Sequence, residues 1–317
     1  MVDNSIVCAG IDIGKQKLDV AVCGGKAALQ ADNTSAGHKK LITWLRRHKV
    51  ERVGVEATGG YEQGIVRALR REGFLVVVFQ PIQVRAYAKF RLKLAKNDKI
   101  DAGLIAACVA SVDEIRAAPD PRFEAFAAAQ TLIDQLTDDI VLYKTRRETA
   151  RDEHSRAFWQ REIAGRKAQA RNALKTLCAE MRAHADIAAK LDLIASVEGI
   201  AEKSAIAILI RMPEIGTLSR EQVTALAGLA PYDDDSGRRA GSRHIQGGRT
   251  RLRSSLYAAA LPAAFFWNPQ LITFYKRLRA NGKTHKMALV ACARKLLIFI
   301  NTVVARATPW QPKSVAS

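Results

Sequence analysis

The chain has 317 residues, 48% of them hydrophobic, and a formal net charge of +19. This length and hydrophobic content are enough for two domains with cores of their own. A positive excess of this size indicates a nucleic-acid partner more often than an anionic membrane surface. We find no apolar run of the roughly 18 residues that a membrane span requires, and no signal peptide, so we expect no membrane partner.

The cysteines and the distribution of charge further indicate the kind of protein and its partner. The five cysteines are scattered and form no Cys-x-x-Cys pair. This is typical of reduced thiols in a cytoplasmic protein, and not of a zinc site or a disulfide framework. The last 82 residues contain 15 Lys and Arg but no Asp or Glu. We therefore expect the C-terminal part to lie against a polyanion.

The first third of the chain alternates short apolar runs with amphipathic segments. The sequence predicts strands over 6–13, 18–23, 27–32, 52–56 and 74–79. It predicts helices over 37–48 and 61–72, and one or two helices over 81–111. Three strands followed by alternating helices and strands is the order of a ribonuclease-H-like α/β domain, which we expect over residues 1–118.

Four carboxylates stand out in this segment. Asp12 and Glu56 each close an apolar run that predicts a buried strand, and Asp98 and Asp101 are three residues apart on a predicted helix. Oxygen donors suit Mg²⁺, and two such ions can clamp the attacking and leaving oxygens of a phosphodiester. Because four unpaired acids would repel one another, we predict that they share a metal. Each acid could alternatively serve as a cap or a salt-bridge partner.

A run of basic residues precedes the second pair of acids. Arg85, Lys89, Arg91 and Lys93 follow one another along the predicted helix. Two interpretations are open, a solvated helix face or a contact with the backbone of RNA or DNA.

Five rings are candidates for stacking on bases, although the sequence favours core or turn packing for each. They are Tyr61, Tyr87, Tyr232, His244 and Trp267.

The middle of the chain, residues 119–190, predicts a helical spacer. Pro119 and Pro121 mark its start, and after them it contains no proline and a single glycine. The spacing of Leu132 and Leu136, continued by later apolar residues, suits a helix pair or a coiled coil. Two interpretations are open, an antiparallel hairpin within one protomer or a dimerisation arm.

Residues 191–317 predict a third, mainly helical domain. Short helices are followed by Ala- and Leu-rich helices over 249–265 and 283–306. The segment 197–205 resembles a helix-hairpin-helix turn, in which backbone N–H groups at a helix start hold a DNA phosphate. Ala201 stands where a second glycine is usual in such turns, so this match is imperfect.

A loop rich in Gly, Ser and Arg runs from Pro231 to Gly248. Its Ser236 lies in a Gly-flanked turn among guanidinium groups, which bind phosphates bidentately and stabilise an oxyanion. A serine that attacks a phosphodiester needs this setting, with Asp235 or a metal-bound hydroxide taking its proton. The alternative is a turn in which the hydroxyl caps a backbone N–H. The rival hydroxyls are those of Ser242, Ser254 and Ser255, and the arginines predicted to bind nucleic acid are Arg238, Arg239, Arg243, Arg249 and Arg253.

Together these motifs resemble the DEDD-type transposases of the insertion-sequence one-hundred-and-ten family, the RNA-guided bridge recombinases. In the first half the resemblance is carried by Gly10–Lys15, Glu56–Tyr61 and Lys96–Ala102. In the second half it is carried by Gly228–Pro231, Asp235–Gly237, Gly241, Ile245–Arg249, Arg253 and Leu256–Ala260. The motifs occur in order over almost the whole chain, with the helical spacer between the two groups.

The resemblance implies a RuvC-like metal-binding domain over 1–118, a coiled-coil spacer over 119–190 and a transposase domain over 191–317. It implies that the acids Asp12, Glu56, Asp98 and Asp101 bind Mg²⁺ and that Ser236 joins covalently to a cleaved DNA end. It also implies three nucleic-acid partners: donor DNA, target DNA and a structured bridge RNA that reads sequence by base pairing. The protein would act as a homo-oligomer, a dimer or on DNA a tetramer, whose protomers each supply part of a site. Its place would be the bacterial cytoplasm, at the nucleoid.

Three other functions are compatible with parts of the sequence. A structure-specific nuclease resembling a Holliday-junction resolvase would use the same acids, attack with water and survive loss of Ser236. A nucleic-acid-binding protein without catalytic activity would tolerate loss of Asp12 and Glu56. The segment from Gly10 to Val22 also resembles the first phosphate loop of actin-like sugar kinases, but we find no convincing second phosphate loop or adenosine loop.

Overall fold

The computed structural model describes residues 6–92, 98–113, 120–232 and 244–312, and for residues 98–100 it describes the backbone alone. The chain divides into two compact units, Met1–Ala118 and Pro119–Ser317. The first contains a five-stranded sheet with helices, and the second is mainly helical.

The first unit is built on strands β1 (Cys8–Ile13), β2 (Lys17–Val22), β3 (Ala28–Asp32), β4 (Arg52–Glu56) and β5 (Leu75–Phe79). They form one sheet in the order β3-β2-β1-β4-β5. The first three strands pair antiparallel because short turns join them, whereas β1, β4 and β5 are parallel. Parallel neighbours need a crossover connection, which the intervening helices supply.

Helices cover both faces of this sheet. They are α1 (Ser35–Arg47), α2 (Gln63–Arg71), α3 (Pro81–Phe90) and α4 (Asp98–Ala110). Side chains alternate along each strand. Ile11 of β1 therefore belongs to the core formed with α1 and α2, whereas Cys8 belongs to a second core on the opposite face, formed with α3 and α4.

Two paired glycines allow α4 to lie directly on the sheet. Gly10 of β1 pairs with Gly54 of β4. A Cβ at Gly10 would lie 2.2 Å from the carbonyl oxygen of Ala102, and a Cβ at Gly54 would lie 2.9 Å from Cβ of Val109. Larger side chains at these positions would push the helix away from the strands.

Arg52 at the start of β4 shows the direction of α4. Its Nη1 donates a hydrogen bond of 2.6 Å to the carbonyl oxygen of Val112, just beyond the last residue of α4. The C-terminal end of α4 therefore lies near the start of β4. Its N-terminal end, at Asp98, lies toward the end of β4 at Glu56.

The predicted N-terminal α/β sheet is confirmed. All five strands lie within two residues of their predicted bounds. The segment 81–111, expected as one or two helices, forms α3 and α4. Local patterning was sufficient here because each strand is a short apolar run bounded by turn residues.

The second unit begins with two long helices that pack against each other, α5 (Arg122–Thr149) and α6 (Glu153–Arg182). Only residues 150–152 join them, and Asp152 caps α6 by accepting a hydrogen bond of 2.7 Å from the N–H of Ser155. A third helix, α7 (Ala185–Ala195), begins before the predicted end of the spacer at residue 190. The hairpin of α5 and α6 belongs to the same compact unit as the helices that follow it.

The remaining elements form one core with the base of that hairpin. The core combines Phe123 and Phe126 of α5 with Leu177 of α6 and with residues of the C-terminal helices. The elements are α8 (Glu202–Arg211), α9 (Arg220–Leu226), β6 (Pro231–Tyr232), β7 (His244–Ile245), α10 (Thr250–Pro262), a π-helical turn (Ala263–Trp267), α11 (Pro269–Ala280) and α12 (His285–Arg306).

By length and composition alone, α12 is apolar enough to cross a membrane. This differs from the expectation of no such run in the sequence. Half of the apolar stretch is buried inside the second unit, where Cys292 and Leu296 are fully covered. A helix that is apolar on most sides is expected at the centre of a core as well as in a membrane, so its length and composition are weak support for a span.

Candidate active site

Asp12 and Glu56 lie at neighbouring positions on two adjacent strands. Ile11 of β1 pairs with Val55 of the parallel strand β4, so Asp12 and Glu56 occupy the next pair of positions. Each lies two residues beyond a glycine on which α4 rests, and residues two apart share a face of a strand. Both acids therefore lie on the face that α4 covers, and both are half-buried.

The first turn of α4 carries the other two predicted acids. The helix begins at Asp98, and Asp101 is half-buried within it. Because α4 runs opposite to β4, its first turn lies toward the end of the strand that carries Glu56. The side chain of Asp98 is outside the described part of the chain. The backbone positions of all four acids are thus at one end of the contact between the sheet and α4.

Asp19 is a further acid on this face. The sequence favoured a solvent-facing side chain or a basic neighbour for it, and it was not among the predicted ligands. It lies directly opposite Asp12 in the antiparallel pair of β1 and β2, so both side chains share a face. Its Oδ1 accepts a hydrogen bond of 2.9 Å from Nε2 of Gln30. Like charges directly opposite each other destabilise a sheet. The short turn between the strands sets this register and was the signal that could have revealed the pairing.

The donor set suits a hard divalent cation. Carboxylate oxygens are the ligands that Mg²⁺ prefers, and crowded negative charge at one end of the sheet favours cation binding. Among the side chains that the structure describes, no three His, Cys, Asp or Glu form a group that could hold a metal. The predicted set also needs Asp98, whose side chain is not among them.

Glu62 organises the turn that follows Glu56. Its Oε2 accepts hydrogen bonds from the N–H of Gly60 at 2.8 Å, and from the N–H and hydroxyl of Thr58 at 3.1 and 2.9 Å. Gly59 and Gly60 have φ values of 78° and 130°, which glycine adopts readily. Burial alone would raise the pKa of Glu62, but the hydrogen bonds to its charged form outweigh burial and lower the pKa.

Asn33 connects the turns that follow the two acid-bearing strands. Its Nδ2 donates hydrogen bonds of 3.1 Å to the carbonyl oxygens of Gly14 and Tyr61. Its Oδ1 lies 2.8 Å from Nε2 of His38. Burial lowers the pKa of His38, which favours a neutral ring that donates from Nε2. The sequence prediction missed Asn33 because its two carbonyl partners lie 19 and 28 residues away.

The predicted basic run lies on α3 and just beyond it. Arg85, Lys89 and Arg91 are exposed, and Lys93 lies outside the described residues. Exposure makes the three side chains accessible to a polyanion, but a solvated helix face would have the same exposure. The nucleic-acid contact stays a prediction.

The predicted serine loop extends from a short hairpin. Tyr232 of β6 pairs with His244 of β7. Residues 233–243 lie outside the described part of the chain, and they include Ser236, Ser242, Arg238, Arg239 and Arg243. The rival hydroxyls of Ser254 and Ser255 are on α10, where each donates to a carbonyl oxygen one turn earlier at 3.1 Å. That is the usual arrangement of a serine within a helix.

Close glycine packing and Arg253 form the base of this hairpin. A Cβ at Gly248 would lie 2.1 Å from the backbone nitrogen of Gly228, and both residues have positive φ. Nη1 of Arg253 donates to the carbonyl oxygens of Gly247 at 2.7 Å and Gly228 at 3.3 Å. The glycine motif and Arg253 therefore hold the two ends of the loop together.

Arg249 has a similar structural role. Its guanidinium forms a two-point ion pair with Glu214 at 2.7 and 2.9 Å, and it donates to the carbonyl oxygen of Arg211 at 2.8 Å. Arg249 and Arg253 were both predicted to contact nucleic acid, and the structure gives both of them acceptors within the chain. A guanidinium has five N–H donors, so these internal bonds leave donors on both residues, and the phosphate contacts stay predictions.

The predicted helix-hairpin-helix turn joins α7 and α8. Gly199 within it has a φ of 94°. A Cβ there would lie 2.4 Å from Cβ of Ala263, so this glycine serves close packing as well as the turn. A phosphate contact at the start of α8 stays a prediction.

Comparison with known families matches both units. A family model described as a transposase, of the DEDD type in IS110 elements, matches residues 9–150. A second model, described as transposase of the IS116/IS110/IS902 family, matches residues 191–276. The two matches together span more than two thirds of the chain. The chain belongs to the IS110 family of transposases. The resemblance carried by the sequence motifs is therefore confirmed, and this transposase is an enzyme that cleaves and rejoins DNA.

The transposase is also similar over nearly its whole length to two named relatives. It is 25% identical to the pilin gene-inverting protein of Moraxella bovis and 24% identical to that of Moraxella lacunata. Each match covers 96% of this chain and 97% of the relative.

Among solved structures, the transposase is similar to Thermus thermophilus RuvC in complex with a Holliday junction substrate. The match covers 32% of this chain and 92% of that protein, with 20% identity and a TM-score of 0.26.

Proposed function

We propose that this transposase is a site-specific DNA recombinase that combines a Mg²⁺ site with a serine nucleophile. The proposed ligands are Asp12, Glu56, Asp98 and Asp101, and the proposed nucleophile is Ser236. The observation that carries the metal site is the adjacency of Asp12 and Glu56 on parallel strands, with the first turn of α4 toward the same end. Similarity to two pilin gene-inverting proteins supports recombination, because inverting a gene requires that cut ends be rejoined.

Mg²⁺ held by these carboxylates would polarise the phosphodiester and stabilise negative charge on the oxygens that change bonds. The protein's contribution is to hold the carboxylates in a fixed geometry before DNA arrives. Asp12 and Glu56 are on strands of a packed sheet, and Asn33 and Glu62 fix the turns behind them. This support favours a preorganised site.

Ser236 would attack the phosphorus with its Oγ, so that a P–Oγ bond forms as the P–O bond to one sugar breaks. The hydroxyl proton passes to a base, for which Asp235 is the neighbouring acid in sequence, and the departing sugar oxygen takes up a proton. The bond between serine and DNA is itself a phosphodiester, so the number of such bonds is unchanged, and a sugar hydroxyl of another strand can displace Oγ of Ser236 and rejoin DNA without an added energy source. Arg238, Arg239 and Arg243 would stabilise charge on the phosphate.

The proposed partners are donor DNA, target DNA and a structured bridge RNA encoded by the element. The net charge of +19 and the acid-free C-terminal segment support binding of polyanions. Arg85, Lys89, Arg91 and Lys93 are proposed backbone contacts. The hairpin of α5 and α6 is proposed as a dimerisation arm in a cytoplasmic, nucleoid-associated oligomer, because it exposes Val141, Leu142 and Phe158.

The deciding experiment incubates purified protein with its element's RNA and labelled donor and target DNA in Mg²⁺. A protein–DNA adduct is sought on a denaturing gel for wild type, Ser236→Ala, Asp12→Ala and the matched control Ser254→Ala. We expect an adduct with wild type and the control, and none with the other two variants. Cleavage without an adduct that survives Ser236→Ala would instead indicate a metal-dependent nuclease that attacks with water. Omitting the RNA tests guidance in the same assay.

A further inference from the structure

The π-helical turn between α10 and α11 exposes three consecutive aromatic side chains. Phe266 and Trp267 are 74% and 65% exposed, and Phe265 is 38% exposed. The sequence favoured core or turn packing for Trp267, and the structure places it in a turn with most of its side chain exposed. A cluster of large apolar rings on a surface indicates a binding site more often than an accident of folding, and π-helical turns are frequent at functional sites.

The turn is anchored firmly from its inner side. Ala263 is fully buried and packs closely against Gly199. Any side chain at position 199 would collide with Ala263. The N–H of Asn268 donates to the carbonyl oxygen of Ala263 at 2.9 Å, five residues back, which closes the π-helical turn. Oδ1 of the buried Asn268 accepts from the N–H of Leu271 at 3.1 Å and so caps α11. The aromatic side chains therefore project from a fixed backbone.

Phe265 links the exposed rings to neighbouring helices. Its ring centroid lies 5.0 Å from that of Tyr275 on α11, 6.1 Å from that of His285 on α12 and 6.3 Å from that of Phe266. The hydroxyl of Tyr275 lies 2.7 Å from Nδ1 of His285. These contacts hold the Phe265 ring against α11 and α12. Phe266 and Trp267, which are more exposed, continue the ring cluster toward solvent.

The helices that follow this cluster in the chain are strongly cationic. The sequence contains no Asp or Glu between residues 236 and 317. Five exposed cations lie on α11, on the connection after it and at the start of α12: Lys276, Arg277, Arg279, Lys283 and Lys286. The core of a protein–protein interface is depleted in charged residues. Aromatic faces amid cations instead match the flat base and the phosphate of an unpaired nucleotide.

We propose that Phe265, Phe266 and Trp267 form a stacking platform for unpaired bases of the DNA on which the transposase acts. The inference rests on the enzyme's action on DNA, and it is independent of the Mg²⁺ site and of Ser236. An enzyme that cuts and exchanges strands passes through states in which bases near the ends are unpaired. A duplex hides its base faces within the stack, so the platform selects single-stranded segments. Stacking accepts any base, so the platform holds a strand without reading its sequence.

The test measures binding in EDTA, so that neither cleavage nor metal binding contributes. Fluorescence anisotropy compares a labelled thymidine strand of about 12 nucleotides, within the usual site size, with an abasic strand of the same length and charge. We expect wild type to prefer the intact strand. Phe266→Ala and Trp267→Ala should weaken binding to the intact strand at least about fivefold and leave the abasic strand unchanged. Trp267→Phe should keep most of the preference, because it keeps an aromatic face.

Leu75→Ala on β5 is the matched control, because it also removes an exposed apolar side chain, at a position outside every proposed site. Circular dichroism melting verifies that each variant is folded. Equal loss of binding to intact and abasic strands would overturn the proposal, as would stacking on single-stranded RNA but not DNA. A change of mass in sedimentation with an unchanged base preference would also overturn it, and would make the cluster an interface between copies of this chain. Failure of the adduct experiment would leave all these binding results intact, so the two proposals fail separately.

Discussion

Arg211 on α8 forms a two-point contact with Asp134 on α5, with N–O distances of 2.6 and 2.7 Å to the two carboxylate oxygens. The same guanidinium donates to Oγ of Ser255 on α10 at 2.6 Å. The side chains of Arg211 and Asp134 are only 13% and 23% exposed. One residue therefore fastens the base of the helical hairpin to two helices of the C-terminal core.

We predict that Arg211→Ala destabilises the second unit by about 3 kcal/mol, because the largely buried charge of Asp134 loses its two-point contact with Arg211 and keeps the 3.0 Å hydrogen bond from Nε2 of Gln130. The matched control is Arg251→Ala, which removes the pair with Asp138 between α10 and α5. Those side chains are 61% and 54% exposed, so the loss should stay below about 1 kcal/mol. Urea unfolding of both variants measures the difference. Equal losses would show that burial does not set the strength of this contact.

Because α4 contacts the sheet directly, we predict that the stability of the first unit is sensitive to any side chain added at Gly10. A Cβ there would lie 2.2 Å from backbone atoms of Ala102 and Ala106, neither of which can rotate away. Gly10→Ala should therefore destabilise the first unit by more than about 2 kcal/mol and abolish Mg²⁺-dependent cleavage by displacing Asp98 and Asp101. Gly103→Ala is the control: it meets nothing within 4 Å, and should stabilise α4 by up to about 1 kcal/mol. Thermal unfolding of the pair decides the prediction, and similar behaviour of both variants would refute it.

Asn33 is predicted to act as a positioning residue for the metal site. Asn33→Asp keeps the shape of the side chain but removes both N–H donors to Gly14 and Tyr61. We expect the Mg²⁺ concentration for half-maximal cleavage to rise at least about tenfold, as for other residues that support a metal site from behind the ligands. DNA affinity measured in EDTA should stay unchanged. A parallel loss of DNA affinity, or an unchanged Mg²⁺ requirement, would contradict this role.

We predict that the contribution of Glu62 to the free energy of unfolding decreases in acid. Its folded-state pKa lies below the ordinary value of 4.5, so the folded state binds fewer protons than the unfolded state. The resulting stability is complete above that ordinary value and disappears as the pH falls through the lowered pKa. The difference in unfolding free energy between wild type and Glu62→Gln should therefore be largest near neutral pH and shrink in acid. Urea titrations from pH 7 down to about 3 measure it, and a constant difference would show that the charge of Glu62 is irrelevant.

The sequence by itself determined the secondary structure of the first unit and pointed to the acids of the candidate site. Strands such as β4 and β5 are short, nearly continuous apolar runs. The acids Asp12 and Glu56 stand where such runs end. These are local properties, because the conformation of a strand and the position of a residue at its end depend on a few neighbours along the chain.

Only the tertiary structure decided which residues are partners. Arg249 looks like a phosphate ligand in the sequence, yet it pairs with Glu214, 35 residues earlier. Asp19 joins the acidic face because the strand register places it opposite Asp12. A charged side chain has the same sequence appearance whether its partner is an internal carboxylate or a DNA phosphate, so pairing depends on which groups the fold brings within hydrogen-bond distance.

The tertiary structure alone also decided which aromatic side chains of residues 265–267 are exposed to solvent. The sequence shows that residues 265–267 are aromatic but not which side of the chain faces solvent. That orientation comes from Gly199, more than 60 residues earlier, against which Ala263 packs, and from the bond that closes the turn at Asn268. Burial is a property of packing between distant segments, so the sequence alone does not show that Trp267 lies on the surface.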